Sequence, residues 1–480
     1  MSGKIYLPRR SIINRLFVIN FRNENRIAFF DRQLLKTNRM KSYSIFFCLI
    51  AFVVPALGQK PDEVLATATG LNFTARNLSA DGRKLFENQN AVIAEARTSV
   101  FTQMLADLLL EMEARSQNTS PEALATAEFK KISNPTDAEI KAIYDANRST
   151  LGGKSIEDVR AQIIAFLRRP PEQKAAQALI EKLKVKYKTV MGKDVNAPDL
   201  KPSDSLGTVN GRTISAQEFE EKNKVALYDT RSEIADNIRL DLAAAVFSEL
   251  VNQEAKAKNT DAGSIIAAEI TYKLSEFSDA ERSELISSFQ NRLFKKYAVK
   301  LLLKEPELLV QNISSDDDPA QGKQNAPVTV IMFSDFQCSA CAGAHPLLKN
   351  VLIEYGDRVR FIVRDFPLTS IHTNAFQAAL AANAANAQGK FFEYIDVLYR
   401  NQEALDSNSL KKYAADLGLN VKRFALDLAS EKMAVEVRKD MADGIKYGIQ
   451  GTPTIFVNGV KVRRLSGDDF RSAIEKAVKK

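Results

Sequence analysis

The chain has 480 residues, room for two to four domains, and a 45% hydrophobic fraction ordinary for globular protein. Its formal charge is +8, but residues 1–58 hold ten cations against only Glu24 and Asp31, so the whole excess lies there. From residue 59 onward 57 cations balance 57 anions, and a neutral body excludes the electrostatic argument for a nucleic-acid partner.

Arg39 and Lys41 flank the start of a short segment whose apolar core runs from Ser44 to Val54. Ala56-Leu57-Gly58 before Gln59 offers a small-x-small cleavage site. The pattern predicts a secretory signal at about residues 40–58 of a leader spanning 1–58, with Met40 as an alternative start to Met1. The apolar run falls short of the roughly 20 residues a spanning helix needs, and an uncleaved anchor is the alternative. Cys48 lies inside that core and leaves with it. The expectation is a protein of the periplasm or another extracytoplasmic compartment, soluble after cleavage, with two cysteines remaining.

Two blocks follow, 59–196 and 205–310, joined by the proline-rich stretch from Asn196 to Asp204. At an offset of 141 they align without a gap: Thr67 with Thr208, Gly70 with Gly211, Leu109 with Leu250, Glu113-Ala114 with Glu254-Ala255, and Asn118-Thr119 with Asn259-Thr260. Each block reads as a short strand, a glycine turn, a hydroxyl (Thr74, Ser215) that caps a helix, and then long helices. Ile93, Phe101, Leu105 and Leu108 recur at helical spacing in the first, and Ile234, Ile238, Val246 and Leu250 in the second. Thr136 with Glu139, and Ser278 with Glu281, have capping-box spacing.

The stretches Thr208–Phe219, Pro135–Asn147 and Ser155–Ile164 carry a resemblance to the N-terminal helical domain of SurA-like periplasmic chaperones, covering most of 60–305. The resemblance implies mainly α-helical repeats that cradle unfolded polypeptide. That family usually places a parvulin prolyl isomerase between the second and third of these helices, where this chain has only Arg148–Lys154, so isomerase activity is not carried over. A helical spacer or dimerisation arm is the alternative.

A linker at 311–325 leads into the last block, 326–480. Val328–Phe333 is a continuous β-prone apolar run, as in a buried central strand. A turn over Ser334–Gln337 brings Cys338-Ser339-Ala340-Cys341 to the start of a helical pattern reaching Tyr355. Free N–H groups and the helix dipole at that end favour a thiolate at Cys338. Cys341, one turn on, is placed to attack a mixed disulfide formed there. A structural disulfide is the bland alternative. Zinc would need His345 and His372 beside the two cysteines. Far downstream, Gly451–Gly459 sets Pro453 before a strand and an Asn458-Gly459 hairpin turn. A cis Thr452–Pro453 bond would account for a proline there and would leave neighbouring backbone free to pair with a substrate strand.

Asp316–Pro319, Asn325–Val328, Phe333–Cys341, Gly389–Glu393 and Gly451–Gly459 together resemble the DsbA-like thioredoxin family over essentially all of 316–480. The resemblance implies an α/β thioredoxin fold with a helical insertion at about Thr373–Tyr447. It also implies a catalytic set of Cys338 as nucleophile, Cys341 as resolving thiol and Pro453 as cis-proline. Thr452, Ser339 and Ala340 would line the substrate. Two departures stand out: no histidine lies between the cysteines, and Met332 occupies the position six before Cys338 where many thioredoxin-like proteins keep a buried carboxylate. Asp335 is read as a structural turn residue and His345 as a helix-face residue.

The combined expectation is an exported thiol:disulfide oxidoreductase acting on unfolded or cysteine-containing exported proteins. A membrane redox partner would recycle it. No metal or organic cofactor is expected; the redox group is the Cys338–Cys341 pair. A reductase or isomerase, and a chaperone or scaffold with merely structural cysteines, are the alternatives.

Overall fold

A computed structural model describes residues 62–479. The leader, with its signal and Cys48, lies outside the described residues. The chain divides between Pro306 and Glu307 into two compact units. Among the described residues, no helix is long and apolar enough to cross a membrane.

The N-terminal unit opens with a hairpin, β1 (Val64–Ala68) and β2 (Leu71–Thr74), turned at Gly70, whose φ of +75° suits a residue without a side chain. Helices α1 (Ala80–Ser116), α2 (Pro121–Phe129), α3 (Asp137–Asn147) and α4 (Ile156–Lys186) and the short β3 (Val190–Met191) follow. The plan then recurs: hairpin β4 (Ser205–Val209) and β5 (Arg212–Ser215), helices α5 (Ala216–Ala257), α6 (Ala262–Glu269) and α7 (Asp279–Lys296), and the short β6 (Lys300–Leu301).

The two halves exchange their last strands. β6 pairs with β1, joining Thr67 to Lys300, and β3 pairs with β4, joining Thr208 to Val190. Leu65, Ala66 and Phe73 from the first hairpin therefore share a core with Ile238, Leu242, Val246 and Leu250 of α5. The blocks that read as separate domains are interlocked, because a two-stranded hairpin cannot bury its apolar face by itself. Equivalent residues make equivalent bonds. Buried Glu113 accepts from Lys186 Nζ (2.5 Å) and Tyr187 Oη (2.9 Å), and Glu254 accepts from Lys296 and from Tyr297 Oη (2.8 Å).

The caps depart from expectation in two places. Thr74 caps only a single 3-10 turn, and Ser79 caps α1, whereas Ser215 caps α5 directly. Thr136 and Glu139 form the full capping box, but Glu281 turns its carboxylate to the backbone N–H groups of Ser275, Glu276 and Phe277 instead of Ser278.

The C-terminal unit is a five-stranded sheet in the order β11-β10-β8-β9-β7: β7 (Ala320–Gln321), β8 (Val328–Ser334), β9 (Val359–Asp365), β10 (Thr454–Val457) and β11 (Val460–Val462). β8 and β9 run parallel, linked through α8 (Ser339–Tyr355), and β10 returns antiparallel to β8. Five helices intervene: α9 (Ala375–Asn386), α10 (Phe391–Arg400), α11 (Ser407–Asp416), α12 (Val421–Leu428) and α13 (Glu431–Lys446). α14 (Gly467–Val478) closes the chain. This is a thioredoxin-like fold with a helical insertion. Val330 and Met332 face one apolar layer and Ile331 and Phe333 the other, so β8 is covered on both sides, each such side chain contributing ~1.5–3 kcal/mol.

The stretch read as a linker is packed onto this unit. β7 pairs with β9, and Asp318 lies 2.7 Å from the fully buried Arg364 of β9. Arg364 also holds Asp440 of α13 (2.9 Å from Nε) and Asp443 (3.2 Å). A buried guanidinium needs such partners, and the acidic run before β7 supplies part of them.

Candidate active site

β8 ends at Ser334, and the turn that follows is held by one carboxylate. Asp335, 1% exposed, accepts from Gln337 N (2.7 Å) and Leu368 N (2.8 Å) and lies 2.7 Å from His372 Nδ1. Those bonds tie the loop after β9 to the turn before Cys338, a structural task. Gln402, beyond α10, donates to Phe336 O (3.0 Å) and Cys338 O (2.9 Å), clamping the same turn from the other side.

Cys338 is the N-cap of α8. It is 6% exposed, and Cys341 is fully buried. Across from Cys338 the Thr452–Pro453 peptide is cis, and the Thr452 carbonyl lies 3.4 Å from Cys338 Sγ. The structure thus brings Cys338, Cys341, Thr452 and Pro453 together. Ser339 and Ala340 are exposed on the first turn of α8, and Thr452 and Pro453 are half-buried.

The two sulfurs are electrostatically unlike. The Cys338 thiol is drawn down to about 5, chiefly by a hydrogen bond from Cys341, against the opposing effect of burial. The N–H groups of Cys341 and Ala340 and the Thr452 side chain also favour its thiolate. Burial pushes Cys341 well above the ordinary thiol range, and its hydrogen bond to Cys338 adds to that. One sulfur is thus a thiolate at neutral pH while its neighbour keeps its proton, the asymmetry that nucleophilic attack followed by resolution requires.

His345, on α8, is 4% exposed, with Nδ1 3.6 Å from Asp396 and its ring centroid 4.8 Å from that of Tyr399. Burial lowers its pKa to about 4, so its imidazole is neutral near pH 7. His372 is engaged by Asp335, so both histidines of the zinc alternative face carboxylates. Among the described residues, Asp316, Glu436 and Asp440 bring carboxylate oxygens within 4.8 Å of one another, but Arg364 and Lys439 already neutralise that group.

Two contacts here escape motif reading. Ser334 and Tyr399 share a buried hydroxyl–hydroxyl hydrogen bond of 2.5 Å, and Ser334 also bonds the Cys341 thiol. Both residues are distant in sequence from the motif or ordinary in type, and no spacing rule marks them.

A family profile described as Thioredoxin matches residues 314–476. Among curated proteins, the chain is 38% identical over 170 residues to the Na(+)/H(+) antiporter NhaA 3 of Salinispora tropica, covering 35% of this chain and 26% of that protein. It is 35% identical over 158 residues to NhaA of Herminiimonas arsenicoxydans, covering 33% and 25%. The chain thus spans about a quarter of the length of these relatives. Among solved structures, oxidised BdbD from Bacillus subtilis matches at 26% identity and TM-score 0.33, over 36% of this chain and 100% of that one. Wolbachia pipientis alpha-DsbA1 matches at 20% identity and TM-score 0.31, over 35% and 96%.

Proposed function

We propose that this protein is an exported thiol:disulfide oxidoreductase that exchanges disulfides with cysteine-containing secreted proteins through Cys338 and Cys341. A thioredoxin-like fold supports thiol:disulfide chemistry in general. The observation that carries the specific reading is the asymmetric pair: a stabilised thiolate at the head of α8, beside the Thr452 carbonyl, with a buried protonated thiol one turn on. A client thiolate attacks Cys338 Sγ of the oxidised pair, Cys341 leaves, and a second client thiol releases Cys338. Thr452 and the exposed Ser339 and Ala340 border the entry to the sulfur. Ile371, 67% exposed in the loop that Asp335 anchors, adds an apolar contact for an extended client.

The interlocked helical repeats are assigned the holding of unfolded client, on their resemblance to SurA-like chaperones. Tethering a weak client site to the redox domain raises the local client concentration. The leader predicts a periplasmic or other extracytoplasmic location, and a membrane redox partner is needed to restore the disulfide. The dithiol itself is the redox group, and no metal or organic cofactor enters the reaction.

Cys338→Ser and Cys341→Ser variants test the assignment. The first is expected to abolish catalysed oxidation of a reduced, unfolded test protein. The second is expected to accumulate mixed disulfides through Cys338. Catalysed exchange that survives Cys338→Ser refutes it.

A further inference from the structure

Release of Cys341 leaves a charge where the fold disfavours it. The sulfur is fully buried, and no carboxylate stands at the Met332 position. A proton must reach it from inside the domain. Ser334 bonds the Cys341 thiol, so it is the first group a proton would cross. Its register partner on the adjacent parallel strand is Asp365. Register partners stand side by side on one face of a sheet. Here that face is the one where Val330, Met332, Phe361 and Val363 pack with Cys341 and Tyr399.

Asp365 is 4% exposed. Its Oδ2 accepts from Asn383 Nδ2 at 2.5 Å, whereas Oδ1 has no hydrogen-bond partner among the described residues. A buried carboxyl oxygen without a partner is costly unless it takes part in something. The charged and titratable groups around it are Asp440 and Glu436 of α13, Arg364 beside it on β9, Tyr399 of α10 and Asp318 ahead of β7. Burial and the nearby Asp440 carboxylate favour its neutral, protonated form.

We propose that Asp365 is the proton store for Cys341, working through the Ser334 hydroxyl, with Tyr399 holding that hydroxyl in place. The inference rests on the oxidoreductase reading above. When a client thiolate attacks Cys338 Sγ, a bond forms between those sulfurs, the Cys338–Cys341 bond breaks, and its electron pair stays on Cys341 Sγ. The proton of Asp365 passes to Ser334 Oγ as the Ser334 proton passes to Cys341, leaving thiol, hydroxyl and carboxylate. The Asn383 amide bonds that carboxylate, and the positive charge of neighbouring Arg364 favours it. In the reverse direction the carboxylate takes the proton back as Cys341 attacks the mixed disulfide.

The test follows the reaction of oxidised full-length protein with glutathione by acid-quenched flow and mass spectrometry, from pH 6 to 8. In the native protein the rate, corrected for glutathione ionisation, is expected to be flat with pH. In Asp365→Asn it is expected to fall at least tenfold and to decline further as pH rises, because the proton must now come from solvent. Ser334→Ala is expected to reproduce that profile and Ser334→Thr, which keeps the hydroxyl, to restore it. The Ser334 pair decides the matter if Asp365→Asn does not fold. Native kinetics with a flat profile in both Asp365→Asn and Ser334→Ala overturn the proton path alone. A native protein that reacts no faster than free cystine overturns the oxidoreductase reading beneath it.

Discussion

Replacing Cys341 with alanine probes the origin of the Cys338 thiolate. The Cys341 hydrogen bond is the largest single influence holding Cys338 at about 5, against an ordinary thiol value of 9.0. A hydrogen bond to a charged group is worth about 1.5–3 kcal/mol, and about 1.4 kcal/mol corresponds to one pKa unit, so its loss should raise Cys338 by between about one and two. The remaining donors, the Ala340 and residue-341 N–H groups and Thr452, would keep it below the ordinary value. Iodoacetamide alkylation of the reduced protein across pH 4–9, read against thiolate absorbance, reports the midpoint. The midpoint matters more than the plateau, since intrinsic thiolate reactivity itself rises with pKa. Near pH 5.5 the ionised fraction should drop about three- to twenty-five-fold relative to native, and near pH 8 it should be almost unchanged. Cys341→Ser, which keeps a donor, should lie between. Because the folded thiol is depressed, its contribution to the stability of the reduced protein is complete only above 9.0 and is lost as pH falls through about 5. A native midpoint near the ordinary value, or one that Cys341→Ala leaves in place, refutes the reasoning.

Four further substitutions probe the scaffold. Asp335→Ala leaves the Gln337 and Leu368 N–H groups and His372 without their acceptor, and should lower unfolding free energy in denaturant by about 3 kcal/mol or more; a loss under about 1 kcal/mol would show that the carboxylate does not organise the turn. Glu113→Ala and Glu254→Ala should destabilise alike, by about 1–3 kcal/mol each, because each removes the acceptor of a lysine and a tyrosine. Their lysine bonds hold both carboxyls below the ordinary 4.5, so this stabilisation is present above 4.5 and fades at lower pH; a difference between native and variant that persists well into acid argues against it. Gly444→Ala would put a Cβ 2.6 Å from the Phe366 ring and should cost about 1–3 kcal/mol by thermal melting, whereas an unchanged melt would mean that the ring moves freely.

Much of this molecule is written locally. An apolar run such as Val328–Phe333 has one economical use, as a strand covered on both faces, and two cysteines at the start of a helical pattern place a sulfur among free N–H groups whatever the rest of the chain does. The Asn458-Gly459 turn and the glycines at 70 and 211 carry backbone requirements in their residue types. Equivalences such as Glu113 with Glu254 are visible in the sequence because duplicated positions carry matching residues.

Contacts between distant segments depend on assembly. Nothing in Val190–Met191 or Lys300–Leu301 says that each pairs with the other half's hairpin; two residues carry no pattern, and pairing is decided by which edge the long helices bring near. The acidic run at Asp316–Asp318 falls in the stretch read as a linker, and its pairing with Arg364, buried in β9, comes only with the fold. Ser334 and Tyr399 likewise come beside Cys341, and Asp365 beside Ser334, only through the β8–β9 register and the packing of α10. Sequence settled which residue could become the thiolate; tertiary structure settled what surrounds its partner, because burial and register, unlike residue type, are properties of the assembled sheet.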